Sequence, residues 1–172
     1  MHNKTYITIL VIIFVFLAGW QQSRGGETMK LNSPEFKDGQ FIPAKFSCEG
    51  KDVNPALIIE DIPPAAKSLV LIVDDPDAPM GTWVHWIVFN ILPVSRIQED
   101  SIPGKQGENS GGGKNYSGPC PPSGTHRYFF KLYALDTILD LKEGISKEQL
   151  EKTMQKHILA DARLLGLYKM NK

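Results

Sequence analysis

The sequence predicts an all-β domain, a sandwich of strands with one short helix near its C-terminal end. Three runs, at residues 68–74, 82–92 and 126–135, are rich in β-branched and aromatic side chains and are bounded by Pro, Gly or Asp clusters. Such runs are typical of strands. Because the runs are joined by turn-rich loops, a sandwich is favoured over alternating strands and helices. The length of 172 residues fits one domain.

The middle run predicts a central strand that is covered on both sides. With regular alternation, every second residue from Trp83 to Phe89, including His85, lies on one face, and the residues between them lie on the other. Both sets are mainly apolar, which is typical of a strand inside a packed sheet. Shorter strand candidates lie at residues 31–32, 45–47 and 56–59.

One helix is predicted over residues 147–157, because Ser146 and Gln149 form a Ser-x-x-Gln capping box ahead of residues with helical spacing. Residues 158–168 fit either a continuation of that helix or a closing strand, since their Ala and Leu favour helix while Gly166 and Tyr168 suit a strand end. Residues 102–117 form a long Gly-rich loop, and loops of that length are usually functional or mobile.

Charge and composition exclude several classes of protein. The chain has 19 basic and 19 acidic residues, so it lacks the excess positive charge of a nucleic-acid-binding protein. Its ordinary apolar and charged fractions exclude a disordered or collagen-like chain. The sequence also lacks a P-loop, a C-x-x-C pair and a G-x-S-x-G elbow.

The N-terminal segment, residues 1–26, is predicted to be a signal peptide or an uncleaved membrane anchor. A short start with one Lys precedes an apolar run at residues 6–20, and polar residues follow. The run is short for a membrane span, which needs about 20 apolar residues, so export with cleavage is the favoured alternative. We therefore expect a periplasmic or extracellular protein, or one that touches the membrane only through this segment.

Polar residues collect where the three strongest strands begin or end. Asp75 and Asp77 follow the first strand, His85 lies inside the second, and residues 118–126 lead into the third. A histidine on an apolar face costs free energy unless a partner satisfies it. If the first two strands form a hairpin, the two aspartates are the nearest candidates for that partner.

Three motifs in this order resemble the phosphatidylethanolamine-binding proteins, also called Raf kinase inhibitor proteins. They are Asp-Pro-Asp-Ala-Pro at 75–79, Trp-x-His-Trp at 83–86 and Gly-Pro-Cys-Pro-Pro-x-Gly-x-His-Arg-Tyr at 118–128. Residues 46–50 and the Pro-Cys-Pro-Pro segment are most similar to the bacterial and archaeal branch. The resemblance covers about residues 29–170. It implies a sandwich of two antiparallel sheets with a small anion-binding pocket at one end.

Carried over by position, the resemblance also implies a ligand site. Its imidazoles, its tyrosine hydroxyl and the backbone N–H near its glycine would donate to phosphate oxygens, and its carboxylates would receive an ammonium group. The expected ligand is a phosphate-bearing small molecule or a phosphorylated or zwitterionic head group, with no metal or other cofactor. The implied site residues are Asp75, Asp77, Pro79, Trp83, His85, Gly118, His126 and Tyr128.

Two classes of function fit these residues. The favoured one is a non-catalytic binding or regulatory protein, which would modulate a kinase or another protein partner. The alternative is a hydrolase that uses Cys120 with His126, or a metal held by Asp75, Asp77, His85 and His126. Binding is favoured because no complete catalytic set can be named. The C-terminal helix of the eukaryotic relatives has no counterpart after Tyr168, so their mechanism of kinase regulation is not carried over.

The two cysteines are predicted to form a disulfide. Export to an oxidising compartment allows one, and Cys48 and Cys120 are the chain's only cysteines. A bridge requires that the turn at 46–50 and the segment at 118–124 meet at the same end of the sandwich. The alternative is two buried free thiols.

Overall fold

The computed structural model describes residues 28–171 of the chain. These residues form two β-sheets and one α-helix, which are joined by loops and two 3-10 turns. The predicted signal peptide or anchor at 1–26 lies outside this part. Within it, no helix is both long enough and apolar enough to span a bilayer. The strands are β1 (Lys30–Asn32), β2 (Gln40–Phe41), β3 (Leu57–Glu60), β4 (Ser68–Asp75), β5 (Trp83–Ile91), β6 (Arg96–Ile97), β7 (Lys105–Gln106), β8 (His126–Leu135) and β9 (Ile158–Tyr168), and the helix is α1 (Lys147–Met154).

The larger sheet has the order β2-β9-β8-β4-β5-β7, and the smaller sheet has the order β1-β3-β6. All pairings are antiparallel except the short parallel pair of β2 and β9. The main core lies between the sheets and includes Leu57, Leu71 and Phe130. On the opposite face of the larger sheet, α1 packs Leu150 and Met154 into a second apolar cluster. The predicted all-β sandwich with one short helix is confirmed.

The strand predictions succeed where burial dominates. β5 is buried on both faces as predicted, although β8 and β4 are the two central strands and β5 lies beside the short edge strand β7. The open alternative at 158–168 is resolved as strand β9, which pairs with β8 along its whole length. Those ladder hydrogen bonds outweigh the helix propensity of its Ala and Leu residues.

The predicted strand at 45–47 is wrong, because Ala44–Phe46 form a 3-10 helix. Pro43 precedes it, and the Pro43 carbonyl accepts a hydrogen bond from the Phe46 N–H at 3.0 Å. A single 3-10 turn buries the Phe46 ring as completely as a strand would. The apolar character of this residue therefore could not distinguish the two structures. The predicted helix at 147–157 is present, with its last three residues, Gln155–His157, in 3-10 form.

A β-bulge interrupts β5 at His85. Val73 pairs with Trp86, and the next residue of β4, Asp74, pairs with Val84, so His85 is an extra residue on the β5 side. Val84 therefore packs against the outer apolar cluster. The prediction that His85 shares a face with Ile87 is wrong, because a bulge shifts the alternation by one residue.

The Gly-rich loop at 102–117 supports this bulge from the free edge of β5. After β7, the Ser110 N–H donates to the Val84 carbonyl at 2.9 Å, and the Ser117 N–H donates to the His85 carbonyl at 3.1 Å. Asn109 braces the loop from within, since its Oδ1 accepts from the backbone of Gly111 and Gly113. The loop thus satisfies backbone carbonyls that β5 presents at its free edge beside the bulge.

Candidate functional site

A cavity of about 330 Å³ opens at the end of the sandwich where β4 stops and where β5 and β8 start. Seven of the eight predicted site residues line it; Asp77 does not. Its full lining is Asp75, Ala78, Pro79, Met80, Trp83, His85, Ser117, Gly118, Cys120, Pro121, Pro122, His126 and Tyr128.

Asp75 and His126 form a buried pair at the cavity wall. The His126 Nδ1 lies 2.7 Å from Oδ2 of Asp75, and the other carboxylate oxygen accepts from the Asp77 N–H at 2.8 Å. A carboxylate on one ring nitrogen fixes the orientation of an imidazole. His126 therefore has its Nε2 left for a group in the cavity.

His85 is held by the peptide group of Ser117 rather than by an aspartate. Its Nδ1 lies 2.5 Å from the Ser117 carbonyl oxygen, and its ring stands edge-on to Tyr128 with the centroids 5.1 Å apart. Burial lowers the pKa of His85, while the Ser117 carbonyl and the charge of Asp75 oppose that shift. The predicted partners Asp75 and Asp77 are thus wrong, because those carboxylates bond to residues at the start of β8.

Tyr128 carries a buried hydroxyl that completes no hydrogen bond of normal geometry with the described residues, although the Asp75 carboxylate and the Cys120 backbone lie near it. The side chain is only 1% exposed. Burial, followed by the charge of nearby Asp75, raises the pKa of Tyr128, so the hydroxyl keeps its proton and remains a donor. Buried polar groups without partners are rare, because each one costs free energy. Here the unpartnered hydroxyl belongs to a residue of the cavity wall.

Gly118 has a different role from the predicted one. Its N–H donates to Oδ1 of Asp52 at 2.6 Å, so it is not free to approach an anion. A Cβ on Gly118 would lie 2.3 Å from the Phe46 carbonyl oxygen. The glycine is required because two loops cross there in close contact.

Asp77 lies beside the cavity and braces the turn between β4 and β5. Its carboxylate accepts two hydrogen bonds from the Arg127 guanidinium, at 2.7 and 2.9 Å, and one from the Arg127 backbone N–H at 2.9 Å. The hydrogen bonds from Arg127 hold the pKa of Asp77 below its ordinary value. We conclude that Asp77 positions Asp75 and the start of β8 rather than contacting the cavity.

A disulfide joins Cys48 to Cys120, with 5.5 Å between the Cα atoms. The same two loops are joined by the Cys48 N–H, which donates to the Pro119 carbonyl at 3.2 Å, and by the Tyr116 hydroxyl, which donates to the Phe46 carbonyl at 2.9 Å. Cys120 therefore offers no thiol, and the alternative of a cysteine hydrolase lacks its nucleophile.

The alternative metal site is not supported either. In residues 28–171 no three His, Cys, Asp or Glu side chains come together as a ligand cluster. The Asp75 carboxylate already pairs with His126, and the Asp77 carboxylate already pairs with Arg127.

The cavity mouth is apolar, and sequence reasoning found only part of it. Met80 is 96% exposed and Trp83 is 40% exposed. Met80 and the prolines at 121 and 122 were missed, although the Pro-Cys-Pro-Pro segment was a usable signal. Ser117 was also missed, and no side-chain pattern could have revealed it because it acts through its carbonyl group.

Comparison with known proteins identifies the family. The family model for phosphatidylethanolamine-binding protein matches residues 32–169. The chain belongs to the phosphatidylethanolamine-binding protein family. A UPF0098 protein of Pyrococcus abyssi is 49% identical over 170 residues, which covers 92% of this chain and 95% of that protein.

Two solved structures share the fold. A structure of a phosphatidylethanolamine-binding protein homologue from Chlamydia trachomatis aligns with a TM-score of 0.82 at 47% identity, covering 84% of this chain and 99% of that one. Escherichia coli YbcL, described as a new member of the mammalian family, aligns with a TM-score of 0.78 at 28% identity, covering 84% and 100%. The resemblance drawn from the three motifs is confirmed.

Proposed function

We propose that this protein is a non-catalytic binding protein whose end cavity receives a small oxyanion, such as the phosphate of a phosphorylated or zwitterionic head group. Protein partners would be regulated through the same end of the sandwich. The apolar run at residues 6–20 supports export, and the disulfide is compatible with an oxidising compartment.

The observation that carries this proposal is the unpartnered hydroxyl of Tyr128. A donor buried without a partner is a cost that a fold avoids unless something else satisfies it. The imidazoles of His85 and His126 line the same cavity, each with its Nδ1 already bonded to protein. A ligand with several acceptor oxygens could engage all three groups at once, and a phosphoryl group has that chemistry.

The shape of the cavity supports a ligand that is polar at one end and apolar at the other. The hydrogen-bonding groups lie on buried residues, whereas Met80 and Trp83 are exposed at the mouth. The name of the family, which refers to a phospholipid, is in keeping with such a ligand. Catalysis is not proposed, because the cavity contains a disulfide instead of a thiol and no activated hydroxyl nucleophile is evident there.

The test is a calorimetric titration of the purified protein with phosphoethanolamine and with inorganic phosphate, repeated on Tyr128→Phe. The hydroxyl has no well-formed hydrogen bond within residues 28–171, so the unfolding free energy should stay unchanged or rise by about 1 kcal/mol. Affinity should fall roughly tenfold to a hundredfold, because a hydrogen bond to a charged group is lost.

Tyr133→Phe is the matched control, since Tyr133 lies on the same strand and packs against the outer cluster, away from the cavity. It should leave the affinity unchanged. If neither anion binds, or if Tyr128→Phe binds both as tightly as the wild type does, the proposal fails.

A further inference from the structure

The two ring nitrogens of His85 are not equivalent. A carbonyl oxygen can only accept a hydrogen bond, so the Nδ1 atom that lies 2.5 Å from the Ser117 carbonyl must carry a proton. The Ser117 N–H in turn donates to the His85 carbonyl at 3.1 Å, which fixes the two residues together. In the neutral ring, therefore, Nε2 has a bare lone pair.

That lone pair is available to the cavity. His85 lines the cavity, and within residues 28–171 its Nε2 has no hydrogen-bond partner and is not among the buried unpartnered atoms. An oxyanion without a P–O–H group, such as a phosphodiester, also presents only lone pairs, so it would be repelled by a neutral His85 unless a proton lies between the two atoms. The Tyr128 hydroxyl is a buried donor of the cavity wall that has no partner in the described chain.

We propose that the cavity takes up one proton with each oxyanion that it binds, on the Nε2 atom of His85. The expected ligands are therefore anions that accept a hydrogen bond from an imidazolium. The affinity of the cavity for such an anion falls as the pH rises through neutrality, because the imidazolium loses its proton. This inference rests on the proposed function.

The charges that face His85 come from three elements. Asp74 and Asp75 lie on β4, Asp52 lies in the loop before β3, and His126 shares the cavity wall from β8. Burial is the largest effect and lowers the pKa of His85, while the three carboxylates and Ser117 act in the opposite direction. The free ring is therefore neutral near neutral pH. An anion in contact with Nε2 adds a further negative charge, so the bound ring retains the proton to a higher pH.

The sign of the effect follows from linkage. Between the pKa of His85 in the free protein and its higher pKa in the complex, binding consumes one proton. In that interval the affinity falls about tenfold for each unit that the pH rises. Below the lower of the two values the affinity is independent of this proton.

Glycerophosphoethanolamine is the probe, because its phosphodiester keeps a single negative charge on both sides of neutrality. Titrations are made at about pH 5.5 and about pH 8, which bracket the ordinary imidazole pKa of about 6.5. At neutral pH they are repeated in two buffers with different ionisation enthalpies. The expected result is an uptake that approaches one proton per anion, with tighter binding at the lower pH.

His85→Gln identifies the site of uptake, since its amide places an N–H near the position of Nε2 without titrating. We expect this variant to bind with nearly the same affinity at both pH values. His85→Asn keeps a donor for the Ser117 carbonyl and offers nothing to the cavity, so it should bind weakly at both. His157→Gln is the control, because His157 is exposed, pairs with Asp136 and lies outside the cavity. It should retain the full pH dependence.

The outcomes separate the two proposals. Binding of the probe without proton uptake, or a pH dependence that survives in both His85 variants, overturns the inference and leaves the proposed function in place. Absence of binding at either pH overturns both.

Discussion

Removal of the disulfide should separate the stability of the domain from the affinity of its cavity. The bridge spans 72 residues, and the chain-entropy relation for a loop of that size gives about 4 kcal/mol at room temperature. A typical domain has a total unfolding free energy of about 5–15 kcal/mol, so this loss is a large fraction. The double variant Cys48→Ala/Cys120→Ala should remain folded, with a melting midpoint lowered by roughly 10 °C.

The cavity should change much less, because three hydrogen bonds still join the same two loops. They run from Cys48 to Pro119, from Gly118 to Asp52 and from Tyr116 to Phe46. Phosphoethanolamine affinity should therefore stay within about threefold of the wild type, a change below 1 kcal/mol. Denaturant unfolding and calorimetric titration measure the two quantities on the same sample. A stability loss below about 1 kcal/mol would refute the loop-closure reasoning, and a large loss of affinity would show that the hydrogen bonds do not hold the wall by themselves.

Two further substitutions test the site. In Asp75→Asn, an amide NH2 group takes the place of one of the two carboxylate oxygens, which accept from the Asp77 N–H and from His126. His126 then loses its orientation. Calorimetry should show a phosphate affinity roughly tenfold lower than that of the wild type. Asp136→Asn is the matched control, because Asp136 also pairs with a histidine but lies outside the cavity lining, and an equal loss of affinity there would contradict this role of Asp75. Gly118→Ala brings a Cβ to 2.3 Å from the Phe46 carbonyl, so thermal melting should show a loss of about 1–3 kcal/mol. Ser117→Ala should melt like the wild type, since only the backbone of Ser117 is used, and a Gly118→Ala protein of wild-type stability would contradict the close crossing of the loops.

The sequence was sufficient for the parts of the fold that depend on side-chain pattern. β4, β5 and β8 are long, apolar and bounded by turn residues, so they could be recognised one at a time. The capping box at Ser146 is formed as predicted, because both of its hydrogen bonds are local. β9 could not be settled, since its pairing with β8 is a tertiary interaction that its own composition does not encode.

The sequence predicted most residues of the candidate site, but it did not predict the hydrogen bonds between them. The three motifs supplied seven predicted residues that line the cavity, because each motif occurs as a fixed run in the sequence. Which carboxylate meets which histidine depends on side-chain direction at the ends of β4 and β8, and the assignment of Asp75 and Asp77 to His85 was therefore wrong. The role of Gly118 was misjudged for the same reason, since Asp52 is distant from it in the sequence.

The bulge at His85 explains why this histidine can take part in binding at all. In a regular strand it would lie on the face of Ile87 and Phe89, inside the outer apolar cluster that α1 covers. One extra residue in β5 brings it instead against Tyr128, at the wall of the cavity. The loop at 102–117 lies along the free edge of β5 at this point, where the N–H groups of Ser110 and Ser117 donate to the carbonyls of Val84 and His85. The carbonyl of the same residue, Ser117, fixes the proton of His85 on Nδ1. The bulge therefore sets the position of the His85 ring, and the Ser117 carbonyl sets which of its two nitrogens carries the proton.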